Sequence, residues 1–84
     1  MPDLELELRR EIARSERARA YIEDPLLVDA FERVRQYYMG AWVASPPEAR
    51  EFRETTYHHI QALAEVRAEL NRVLEDGLLA QERL

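Results

Sequence analysis

His58 and His59, with Glu54 and Thr56 beside them, are the residues whose types could do chemistry, and their spacing decides how much. On a helix, adjacent histidines point about 100° apart, so the pair cannot grip one metal ion. Glu54 lies one turn before His58, which makes two ligands where a site needs three or four. Thr56 and His59 have the types of a nucleophile and its base, but no carboxylate is spaced to orient the imidazole. Neither catalysis nor a metal or other cofactor is expected. The chain reads as non-enzymatic. His59 reads better as a polar residue on a packing face that sets helix register, with Thr56 placed to share a hydrogen bond with it.

Two other groups invite a functional reading. Arg10, Arg14, Arg17 and Tyr21 share one face of the N-terminal segment, a stripe that could follow phosphates. The same segment carries Asp3, Glu5, Glu7, Glu11, Glu16, Glu23 and Asp24. Glu5 and Arg9 are four apart in the favourable orientation, so a solvated, ion-paired helix is the plainer reading and nucleic acid the minor one. Tyr37, Tyr38, Trp42 and Tyr57 would gather near a helical turn. Among these, Tyr37 and Trp42 are the candidate partner surface, because aromatics with a polar handle suit both cores and interface hot spots.

The elements that must position these residues follow from breakers and periodicity. Asp24-Pro25 is an N-cap followed by proline at the first helical position, where a missing N–H costs nothing. A helix before it must stop near Glu23. Ser45-Pro46-Pro47-Glu48 has the S-x-x-E form of a capping box, and Gly77 fits the left-handed position after a helix end. These marks predict helices over about residues 3–23, 25–44 and 46–76, followed by a short tail over 78–84. No segment alternates for long enough to be a strand. The fold class is all-α: an N-terminal charged helix or arm over 1–23, then a long antiparallel helical hairpin over 24–84 with a short C-terminal tail.

The hairpin is held by a heptad-like seam. Phe52, Thr56, His59, Leu63, Val66, Leu70, Val73 and Gly77 step by four and three, the spacing that keeps one side of a helix toward a partner. Leu27, Phe31, Val34, Tyr38 and Ala41 repeat it. A connection of a few residues makes the two helices antiparallel, with Phe31, Val34 and Leu63 at the centre. At 1.5 Å per residue the last helix is about 45 Å long and its partner about 30 Å. Leu70, Val73 and Leu74 therefore overhang. Either the N-terminal helix folds back on them or a second subunit covers them, and these three are the expected oligomer interface.

Composition bounds the rest. Eighty-four residues make one domain with a marginal core, and without cysteine neither disulfides nor thiolate metal sites reinforce it. Oligomerisation is the remaining common supplement. The 12 basic residues are all Arg, against 17 acidic ones, for a net charge of −5, which disfavours a whole-domain nucleic-acid binder. A GC-rich coding bias accounts for the Arg, Ala and Leu content without invoking function. With no apolar run near 20 residues and no signal-like N-terminus, neither membrane insertion nor secretion is expected.

Asp24-Pro25-Leu26-Leu27, Ala30-Phe31, Ala41-Trp42 before Ser45-Pro46, Arg53-Glu54, Val66-Arg67 with Leu70, and Gly77-Leu78-Leu79-Ala80 together resemble small helical proteins encoded by tailed bacteriophages and prophages. Genes of that group often lie among head-assembly and DNA-packaging genes. The resemblance covers about residues 18–80, most of the chain, and brings no catalytic or binding residues with it. It implies a phage structural or assembly protein in virion assembly, located in the host cytoplasm or the virion. Such a protein would act through helix-mediated protein–protein association, as a homo-oligomer or with a phage or host protein partner. The alternatives are a small acidic inhibitor of a host protein and a DNA-recognition factor of the packaging machinery.

Overall fold

The computed structural model describes residues 2–84. Three helices account for them: α1 (Pro2–Glu23), α2 (Pro25–Ala44) and α3 (Arg50–Arg83). The protein is all-α, 91% helical, with no strand among the described residues. Asp3 and Glu5 place negative charge at the start of α1, and Arg83 places positive charge at the end of α3, each favourable to the helix dipole.

The α1–α2 break is made as its residues predict. Pro25 holds Asp24 in extended backbone, and the Asp24 carboxylate accepts from the N–H groups of Leu26 and Leu27 at 2.9 and 3.2 Å. Only one residue is non-helical between the two helices.

The second turn is built differently from the expected capping box. Ser45 closes α2 instead of opening α3: its hydroxyl donates to the Trp42 carbonyl at 2.6 Å. The Arg53 guanidinium then donates to Ser45 Oγ at 2.8 Å, and to the carbonyls of Trp42 and Ser45 at 3.2 Å. With Ser45 so engaged, α3 starts four residues later than predicted, at Arg50, with no side-chain cap from Ala49.

Gly77 is not a cap either. Its φ is negative, and α3 continues through it to Arg83, so the predicted tail is helix. The reason lies in packing. A Cβ at Gly77 would collide with the Cβ and Oγ of Ser15 and come within 3.1 Å of the Glu11 carbonyl. Here α1 crosses α3 at a small-residue contact, with Ser15, Ala18, Gly77 and Ala80 buried on it. The Ser15 hydroxyl donates to the Ile12 carbonyl at 2.6 Å, so its burial leaves no orphan.

α1 and α2 lie end to end along α3, both antiparallel to it. Ile22 and Tyr21 sit by Leu70 and Asn71, and Leu4 and Leu8 by Arg83 and Leu84. At the other end, Tyr38 packs on His59. Of the two ways to cover the overhang, the fold-back of α1 is what the chain adopts: Leu70, Val73 and Leu74 are half-buried, the first two beside Ala18 and Tyr21 of α1.

The outcome is a rod one helix layer thick, 60 × 25 × 14 Å, with a radius of gyration of 18.0 Å. A globular chain of this length would have about 12 Å. Among the described residues, Leu8 is the only large apolar side chain that is buried, and α2 has no buried residue. Val34, expected at the hairpin centre, is 42% exposed, while Phe31 and Leu63 are half-buried.

Candidate interaction surface

The heptad seam of α3 divides into two rows of residues seven apart, and the rows have different fates. Thr56, Leu63, Leu70 and Gly77 point into the contact with α1 and α2, all buried or half-buried. Phe52, His59, Val66 and Val73 form the other row. Its first three are exposed, Phe52 by 52% and Val66 by 50%. One covering helix along each stretch of α3 satisfies one row and leaves its neighbour at the edge of the groove. The sequence pattern was right about the stripe and wrong about how much of it this chain covers.

Thr56 and His59 separate accordingly. The Thr56 hydroxyl donates to the Phe52 carbonyl at 2.8 Å, not to His59. His59 instead packs its imidazole against the Tyr38 ring, centroids 4.9 Å apart, and Tyr38 meets Tyr37 edge-on at 5.5 Å. This run of rings shows which side of α2 adjoins the open row of α3.

At 100° per residue, Phe52, Thr55, His59, Ala62 and Val66 occupy one side of α3 within an 80° arc. Ala30, Val34, Tyr37, Ala41 and Ala44 occupy an equal arc on the adjoining side of α2. All but Ala41 are exposed, and none is Asp, Glu or Arg. The opposite side differs. There Phe31, Ile60, Leu63 and Ala64 line a groove bordered by Arg35 and Arg67.

Tyr37 and Trp42, paired as a candidate partner surface, have separate roles. Tyr37 is 72% exposed and belongs to the uncharged face. Trp42 is half-buried at the turn, where the Arg53 guanidinium stacks 3.9 Å from its ring centroid. In the sequence Arg53 stands out only as part of the Arg53-Glu54 motif of the resemblance, with no role at the turn. Its distance of eleven residues from Trp42 carries no local signal.

Arg10, Arg14 and Arg17 are exposed along α1. Arg14 and Arg17 border a groove with Tyr21, Leu70 and Val73, and beside it Arg14 faces Glu11, Glu69 and Asp76. The carboxylates of α3 thus offset the stripe locally. Glu5 pairs with Arg9 at 2.8 Å in the expected register, a solvated pair worth a few tenths of a kcal/mol. Glu54 lies 3.8 Å from His58 Nε2, and no group of three or more metal-ligating side chains occurs among the described residues. None of the described helices is long and apolar enough to cross a membrane.

No protein-family model matches this chain, and neither a curated protein nor a solved structure is significantly similar to it.

Proposed function

We propose that this chain is a non-enzymatic structural or assembly protein of a tailed bacteriophage or prophage, acting by helix-to-helix association. The phage context rests on the resemblance carried by the Asp24-Pro25, Ala41-Trp42 and Gly77-Leu78 signatures. The mode of action rests on one observation: the chain exposes 6795 Å², against about 5,200 Å² expected for a compact monomer of this mass. The excess is apolar and aromatic in part, including Leu26, Tyr37, Phe52 and Val66. Surface of this kind on so thin a rod is what a building block presents to its neighbours.

The test is sedimentation of the full chain over a micromolar concentration series at low and high salt. A mass above the 9.9 kDa monomer, insensitive to salt, supports association through apolar helix faces. A monomer at every concentration overturns self-association and favours the acidic-inhibitor reading. Duplex DNA binding that weakens steeply with salt favours the packaging-factor reading through Arg10, Arg14 and Arg17.

A further inference from the structure

We infer that the uncharged face of the α2–α3 hairpin is a self-docking surface, and that a second copy of this chain covers it to form a four-helix bundle over that half of the rod. The inference rests on the association reading above and supplies its site and partner.

Three observations choose the face. The open row Phe52, His59 and Val66 repeats every seven residues, so it continues the intramolecular seam and asks for one more helix layer at the same pitch. The face has no Asp, Glu or Arg at its centre, while Arg33, Glu51 and Glu69 stand at its edges by their helical positions. An apolar centre within a charged rim is the anatomy of a protein interface. In the opposite groove, between Arg35 and Arg67, the large apolar residues Phe31, Ile60 and Leu63 are already half-buried within the hairpin, whereas Tyr37, Phe52 and Val66 stand open.

Two further observations choose the occupant. The face mixes bulky residues (Tyr37, Phe52, Val66) with small ones (Ala30, Ala44, Ala62) on both helices. Rotated by a two-fold axis it can therefore seat its own bulky side chains over its own small ones, which an isologous contact requires. The area agrees as well. The exposed excess of the whole rod, roughly 1,600 Å² per chain over a compact monomer, is large enough to hold the roughly 1,000 Å² per protomer at which obligate dimers begin. The charged end of the rod, where Arg14 faces Glu69 and Asp76, marks where the contact stops.

The test uses alanines, because Ala30 and Ala62 are exposed and a longer side chain there can extend into solvent in the monomer. Wild type and variants of the full chain are compared by sedimentation equilibrium, with circular dichroism as the control for folding. The wild type is expected near twice 9.9 kDa. Ala30→Glu with Ala62→Glu should keep its helix content and raise the dimer dissociation constant by about a hundredfold or more, since it places four carboxylates in a dry contact. Ala64→Glu, in the groove between Arg35 and Arg67, should leave the dimer intact. A dimer indifferent to the Ala30/Ala62 pair, or one broken by Ala64→Glu, overturns this inference and leaves the association reading standing. A wild-type monomer overturns both.

Discussion

Gly77 lies directly against Ser15, so closely that the crossing of α1 over α3 has no room for a side chain at position 77. Helix propensity alone favours alanine over glycine there by about 1 kcal/mol. Packing decides the other way. Gly77→Ala is expected to destabilise the protein by roughly 1–3 kcal/mol through overpacking, read as a lower denaturation midpoint in urea. Pairing it with Ser15→Gly, which removes both colliding atoms, should recover much of the loss, and the double-mutant cycle measures that coupling.

Gly40 offers the opposite case. A Cβ built there meets nothing within 4 Å, so Gly40→Ala should stabilise α2 by about 0.5–1 kcal/mol. A thermal melt that rises for Gly40→Ala and falls for Gly77→Ala would show that space, not glycine content, governs the two sites.

Arg53 closes the α2–α3 turn by three hydrogen bonds and a stack on Trp42. Arg53→Lys keeps the charge but loses the planar fork. We expect a cost of about 1–2 kcal/mol and faster amide exchange at Ser45 and Arg50. Exchange rates unchanged at the turn would mean that Ser45 and the prolines hold it unaided.

The two rows of α3 predict a divided response. Leu63→Ala should cost about 2 kcal/mol of stability, the low end for a leucine because the site is half-buried. Val66→Ala, 50% exposed, should cost about 0.5 kcal/mol or less in a dilute denaturant titration. Equal losses would mean that both rows are covered within one chain.

Much of this architecture was legible in the sequence because it depends on local chemistry. Asp24-Pro25 can hardly be read other than as a cap and a helix start, and a short connection between amphipathic helices leaves them antiparallel. What escaped is what depends on a distant residue. Gly77 after Asp76 has the local signature of a helix end, and only Ser15, sixty-two positions away, makes it an interior crossing point. Ser45 and Glu48 carry a capping-box spacing, but Arg53 and Trp42 recruit the serine to finish α2. The heptad spacing identified the stripe Thr56–Leu63–Leu70 correctly. Periodicity gives the direction a helix faces and not the number of neighbours it has, so Phe52, His59 and Val66 were counted as covered when they are open. Tyr37 stands exposed, while Trp42 is half-buried at the turn, where Arg53 stacks on it.

The single residue between α1 and α2 has a topological consequence. Reversing direction between two helices takes a loop of two to five residues, and Asp24 alone cannot provide it. The N-terminal helix is therefore committed to prolonging the line of α2 and has no route back across it. As it lies, α1 does not serve as a third helix laid over the hairpin, the step by which most small helical chains seal themselves. Lengthening that joint with a few glycines would let it do so. Such an insertion would turn a hairpin open on one side into one with the means to close on itself.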